Sequence, residues 1–276
     1  MAIPKDKQET HKLQELLDIM EQLRDPKTGC PWDIAQTSDS ISQYTIEEAY
    51  EVVEAIKSDN SEELCDELGD LLFQVVFHAQ ISKENELFQF SDVVDKATKK
   101  MIRRHPHIFK NNGTKKTIED QKSDWEHYKS EERSKNRKTD TYSELDNIPN
   151  TIPENYKALK IQNRAANVGF DWVDFSSVIN KINEELKELI EAKTEGNVRQ
   201  IEEEYGDLIF TVINLGRHLN LHPDNALGRA NQKFIKRFKT IEDNLRKAGK
   251  TIKKSNYEEL NFEWTKVKQK QNKNTT

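Results

Sequence analysis

The chain has 276 residues, long enough for two modest domains or one large one. Its 43 basic and 49 acidic residues leave a net charge of −6, too mild for a nucleic-acid-binding surface, and no nucleic-acid partner is expected. Nine glycines and seven prolines are few for a many-turned β fold, and the mean hydropathy of −0.92 suits solvated helix faces with polar tails.

The opening stretch, residues 1–10, is polar and carries no apolar signal-peptide core. Residues 11–24 place Leu13, Leu16, Leu17, Ile19, Met20 and Leu23 at helical spacing, and Asp25-Pro26 stops that helix. Gly29-Cys30-Pro31-Trp32-Asp33 reads as a loop; Cys30 and Cys65 lack the spacing of a metal-ligand pair and fit a reducing compartment. Thr45 is expected to cap a helix with Glu47 and Glu48 in its first turn, reaching Lys57. Ser58-Asp59-Asn60-Ser61 breaks it, and a second helix covers residues 62–82. The apolar run at 71–77 is far shorter than the roughly 18 residues a membrane span needs, so a soluble cytoplasmic protein is expected. A further helix, 90–104, ends at His105-Pro106.

From Lys129 to Pro153 the chain turns to Lys, Glu, Ser, Asn and Asp, the composition of a linker. Helices are then expected over 155–166, from after the Gly169-Phe170-Asp171-Trp172 loop to Thr194, and over 199–219 and 224–245. The closing 268–276 reads as a disordered tail. The organisation expected is an N-terminal domain at 1–128, a charged linker at 129–153, a C-terminal domain at 154–267 and the tail.

The two halves carry one pattern. Glu47, Glu48, Glu51, Glu67, Gly69, Asp70, Leu71 and Phe73 recur, each 137 positions later, as Glu184, Glu185, Glu188, Glu204, Gly206, Asp207, Leu208 and Phe210. Lys100, Ile102 and Arg104 recur as Lys233, Ile235 and Arg237, and Trp125 with Lys129 as Trp264 with Lys268. Such correspondence indicates duplication of one helical unit.

Carboxylates three or four apart share a helix face, so Glu48 joins Glu51, and Glu67 joins Asp70. Folding the two helices back about Asp59 sets Glu51 level with Glu67 and Glu48 level with Asp70, the two levels about 4.5 Å apart. In the second copy, folding about Gly196 sets Glu188 level with Glu204 and Glu185 level with Asp207. Four carboxylates so close repel unless a cation neutralises them, and an oxygen-only donor set indicates Mg²⁺ or Mn²⁺. An acidic i, i+3 pair is ordinarily a solvated face; a mirrored quartet beside a buried apolar run is not. Gly69 and Gly206 each cost helix propensity, about 1 kcal/mol, which suggests close approach by a neighbour or ligand. No histidine follows a glutamate by three positions, which removes a di-iron bundle, and no P-loop is present. His105-Pro106-His107 reads as a helix-ending turn rather than a metal pair. Lys233 and Arg237, like Lys100 and Arg104, share a helix face and suit polyphosphate oxygens or plain solvent equally. Trp125 and Trp264 are core aromatics or platforms for a base.

Assembled, these motifs resemble the two-domain MazG family of nucleoside triphosphate pyrophosphohydrolases, of the all-α NTP pyrophosphatase superfamily. The matching residues are Gly-Cys-Pro-Trp-Asp at 29–33, Thr-Ile-Glu-Glu-Ala-Tyr-Glu at 45–51 and Asp-Glu-Leu-Gly-Asp-Leu-Leu-Phe-Gln-Val-Val-Phe at 66–77. They continue with Arg-Arg-His-Pro-His-Ile-Phe at 103–109, Ala-Asn-Val-Gly-Phe-Asp-Trp at 166–172 and Asn-Gln-Lys-Phe-Ile-Lys-Arg-Phe at 231–238. The resemblance implies an all-α tandem repeat, hydrolysis of an NTP to NMP and pyrophosphate, Mg²⁺ dependence and a homodimeric bundle. It implies that Glu185, Glu188, Glu204 and Asp207 are metal ligands and that Lys233, Arg237 and Trp264 contact nucleotide, with most turnover in the C-terminal domain. Glu48, Glu51, Glu67 and Asp70 retain the metal set in the first copy. The reaction expected is metal-assisted water attack at the α-phosphorus, with Glu184 as the candidate proton acceptor. The rival class is a non-enzymatic helical dimer that senses nucleotide or metal and binds a protein partner.

Overall fold

The computed structural model describes residues 7–110, 117–135 and 143–273. It divides into two compact units, Met1–Glu131 and Glu132–Thr276, the division falling inside the charged segment that reads as a linker. The described residues form helices and turns, with no strand among them.

In the first unit, α1 (Lys7–Leu23) ends where the Asp25 carboxylate accepts the backbone N–H of Lys27 at 2.9 Å and of Thr28 at 2.7 Å. A Cβ on Gly29 would come within 3.0 Å of backbone atoms of Leu23 and Asp25, so this turn requires glycine. The expected loop contains a short helix, α2 (Pro31–Ala35), started by a proline whose missing N–H costs nothing there. Next come α3 (Ser42–Ser58), α4 (Ser61–Glu84), α5 (Phe90–Arg104), α6 (Pro106–Phe109) and α7 (Ile118–Lys135). Helix α3 starts three residues before Thr45, which is therefore not its cap; the Thr45 hydroxyl instead lies 3.0 Å from His78 Nε2 on α4. Met20, Ile41, Val76, Phe77 and Ile81 form the buried core, with Leu16, Leu17, Tyr44, Phe73 and Phe90 packed on it.

One buried cation ties this unit together. The Arg24 side chain, 6% exposed, pairs with Glu84 at 2.6 Å, donates to the carbonyls of Asp33 and Gln36, and lies over the Phe77 ring. It joins the end of α1, the α2 segment and the end of α4, and its own buried N–H groups find their partners there.

The second unit comprises α8 (Glu154–Asn167), α9 (Phe175–Glu195), α10 (Val198–His218), α11 (Pro223–Lys247), a 3₁₀ turn (Ile252–Lys254) and α12 (Tyr257–Lys273). Helices α9 and α10 form the most extensive pairing, and α8 packs on α10 and α11. Ile241, Leu245 and Val267 bury the seam between α11 and α12, supported by Ile252, Leu260 and Trp264. Helix α12 continues through Lys273, so residues 268–273 of the expected tail are helical. The remainder of that tail, like the linker stretch 136–142 and the first six residues, lies outside the described residues.

Candidate metal centre and nucleotide site

Each acidic pattern sits on a helical hairpin with a two-residue turn. Asp59 closes α3 in the left-handed region, φ 56°, and the Asn60 side chain accepts the N–H groups of Glu62 and Glu63 to start α4. Gly196 does the same after α9, φ 73°, and the Asn197 side chain accepts Gln200 N–H to start α10. The hairpins thus turn at the residues about which the carboxylate spacing is symmetric.

In the first unit, one carboxylate oxygen from each of Glu48, Glu67 and Asp70 lies within 4.8 Å of the others. In the second, Glu185, Glu188 and Glu204 do so. Glu51 and Asp207 stand outside these tight groups on exposed positions, yet remain close enough to act on them electrostatically. Loss of solvent, then the charges of Asp70 and Glu51, pushes Glu48 above its ordinary carboxyl range. Glu67 is raised by lost hydration, then by Glu51 and Asp70; Glu204 is raised by lost hydration, then by Glu188, Glu185 and Asp207. These are carboxylates crowded beyond what water screens, and a divalent cation held by hard oxygen donors relieves that crowding.

The surroundings of the two groups differ in ways the repeat pattern does not reveal. Gln74, 8% exposed, places Nε2 3.5 Å from Glu48 and leaves Oε1 buried without a partner; its counterpart is Thr211, whose hydroxyl donates to the Asp207 carbonyl. In the second unit Lys181 lies 2.8 Å from both Glu184 and Glu185, and those hydrogen bonds raise its pKa above the ordinary lysine value. The signal for this contact is Lys-x-x-Glu-Glu on one helix, spacing that brings the ammonium to both acids. Glu184 is therefore an exposed partner of Lys181 rather than a member of the tight group.

Each unit also carries a cationic and aromatic cluster. On α11, Lys233 is exposed, and the Arg237 guanidinium lies 5.7 Å from the Trp264 ring centre, with Phe234 at 5.1 Å from the same ring. Trp264 also packs on the α11–α12 core, so it is anchored on one side. In the first unit Arg104, Lys129 and His105 surround Trp125 at 4.9, 5.4 and 5.5 Å, and Lys100 is exposed on α5. His105 Nδ1 lies 2.8 Å from the Met101 carbonyl and His107 Nε2 3.0 Å from Gln121, so these imidazoles serve the α5–α7 junction. A Cβ on Gly69 or on Gly206 meets nothing within 4 Å in this chain, so no neighbouring helix of the same chain requires glycine at either position.

The model of the MazG nucleotide pyrophosphohydrolase domain matches the chain twice, over residues 36–109 and 174–241, so each match holds one carboxylate hairpin. The chain belongs to the MazG nucleotide pyrophosphohydrolase family. It is 41% identical over 263 residues to a nucleoside triphosphate pyrophosphohydrolase of Escherichia coli, covering 95% of this chain and 98% of that one. It is 43% identical over 255 residues to the nucleoside triphosphate pyrophosphohydrolase/pyrophosphatase MazG of Thermotoga maritima, covering 92% and 95%. A crystal structure of a MazG-related protein from Thermotoga maritima is 26% identical and covers 42% of this chain and 97% of its own, with a TM-score of 0.36.

Proposed function

We propose that the chain hydrolyses nucleoside triphosphates to the monophosphate and pyrophosphate as part of nucleotide-pool housekeeping in the cytoplasm, with Mg²⁺ or Mn²⁺ as cofactor. The carrying observation is the duplicated trio of carboxylates within 4.8 Å, present in both segments that match the family. Glu185, Glu188, Glu204 and Asp207 would hold the metal in the second unit, and Glu48, Glu51, Glu67 and Asp70 in the first. The metal, when bound, supplies charge for the phosphate oxygens and a lowered pKa for water. Lys233 and Arg237 offset the negative charge that gathers on departing pyrophosphate. Trp264, held by the core on one side, offers a ring surface to the base. Glu184, exposed and next in sequence to Glu185, would take the proton of the attacking water at the α-phosphorus.

Association into a homodimer is supported by matching apolar stripes. Leu68, Leu72 and Val75 on α4, and Tyr205, Ile209 and Val212 on α10, stand at i, i+4, i+7 and are all exposed in the single chain. No helix among the described residues is long and apolar enough to cross a membrane, so a bilayer-spanning role does not account for these stripes.

The test is to incubate the purified protein with each NTP and Mg²⁺ and to separate NMP, NDP, pyrophosphate and phosphate. NMP with pyrophosphate is expected; NDP with phosphate would contradict the reaction, and no product would favour the sensor alternative. Glu204→Gln should abolish pyrophosphate release with the helical fold retained. Near-normal release from the double variant Glu67→Gln/Glu204→Gln would overturn the assignment of both carboxylate groups.

A further inference from the structure

We infer that Lys181 is a resident counter-ion of the second carboxylate group, which a divalent metal must displace from Glu185, so that the two metal sites load unequally. The inference rests on the metal reading above. Lys181 Nζ lies 2.8 Å from Oε1 of Glu185, a side chain only 5% exposed and one of the three acids that close the group. The same ammonium holds Glu184 at 2.8 Å. A Mg²⁺ ion sits about 2.1 Å from a carboxylate oxygen, so a cation on Glu185 would stand within about 5 Å of this ammonium if both remained. Two positive centres that close, beside a buried carboxylate, repel strongly. Lys181 is one-third exposed on a flexible four-carbon stem, which lets it swing into solvent when a stronger cation arrives.

The first group is built otherwise. The residue 137 positions before Lys181 is Tyr44, which packs on the Met20–Ile41 core and beside the Trp32 ring. Gln74 brings only a neutral amide to Glu48. Among the described residues no lysine or arginine pairs with Glu48, Glu51, Glu67 or Asp70. At rest, the first group therefore has no lysine or arginine paired with it among the described residues, whereas the second is partly neutralised from within. Metal alone should fill the first site at lower concentration, and the second only by expelling Lys181.

The measurement is Mn²⁺ alone titrated into the full-length protein without nucleotide, with free Mn²⁺ counted by electron paramagnetic resonance. Glu67→Gln should remove the tighter class of binding and Glu204→Gln the weaker. Lys181→Met should tighten the weaker class by about tenfold or more, and Lys181→Gln should do the same, since each removes one positive charge beside the site. Lys181→Arg should leave it weak. If the ammonium only steadies α9, both neutral variants would lower the melting temperature and leave Mn²⁺ affinity unchanged or weaker, which overturns the inference. Absence of Mn²⁺ binding at either group in the wild-type chain would overturn the metal reading itself, an outcome distinct from binding that ignores Lys181.

Discussion

Arg24 shows how a single side chain can carry more of a unit than its count of partners suggests. Its guanidinium serves Glu84, two backbone carbonyls and the Phe77 ring from a position almost closed to water. Removing it by Arg24→Met takes one donor from each of two carbonyls and a carboxylate, although Gln80 still donates to Glu84, Gln36 N–H still donates to the Asp33 carbonyl, and Glu84 is about one-third exposed. The expected loss is about 2 kcal/mol, read from the urea midpoint at neutral pH. Burial alone would push Glu84 up, but the hydrogen bonds from Arg24 outweigh it and hold this carboxyl below its ordinary value. The stability it contributes is therefore present above the ordinary glutamate value of 4.5 and lost as pH falls through the lowered folded value. Gly29→Ala is expected to be damaging for a steric reason, because the added methyl meets backbone rather than a movable side chain. A drop of about 2 kcal/mol in the same unfolding assay is the expected size.

At the scale of helices, the carboxylate hairpin was legible because three constraints agree. Helical periodicity aligns Glu48 with Glu51 and Glu67 with Asp70, and the breaker at Asp59-Asn60 fixes where the chain reverses. Asn60 and Asn197 then act as caps of the kind their residue type favours. Legibility failed where partners are remote or patterns weak. Thr45 looks like a cap by local chemistry, but its hydroxyl is engaged by His78, 33 residues away. Helices α7 and α12 carry mostly polar and charged residues and a thin apolar stripe, so periodicity gives little warning of them. Lys181 escaped notice because a lysine four positions before a glutamate is ordinary on any helix; only the 5% exposure of Glu185 makes that contact unusual. The hairpins also have their own pH signature. Glu48, Glu67 and Glu204 are raised, so the stability they contribute is fully present below the ordinary glutamate value and lost as pH rises through their folded values. Metal-free protein should thus gain more from Mg²⁺ as pH rises. Differential scanning fluorimetry in EDTA and in Mg²⁺ should show the gap in melting temperature widening from about pH 5 to about pH 7.

For the whole molecule, two units share a plan but not a chemistry of detail. Where the first places Tyr44, Gln74 and His78, the second places Lys181, Thr211 and Leu215, each pair 137 residues apart. Thr45 and His78 meet by a hydrogen bond; their counterparts Ile182 and Leu215 are apolar. The exposed stripes at Leu68, Leu72, Val75 and at Tyr205, Ile209, Val212 survive in both units, however, as surfaces needing cover would. If they pair chains, Ile209→Glu with Val212→Glu should lower the mass seen by multi-angle light scattering, whereas an unchanged mass would place the interface elsewhere. The two-residue turn at Asp59-Asn60 has a kinetic consequence. All the acids of one site lie on a single contiguous hairpin, so they meet through short loop closure, early in folding and ahead of the more distant packing. Their repulsion then falls on the climb to the transition state, and Mg²⁺ present during refolding should speed the first phase more than it slows unfolding.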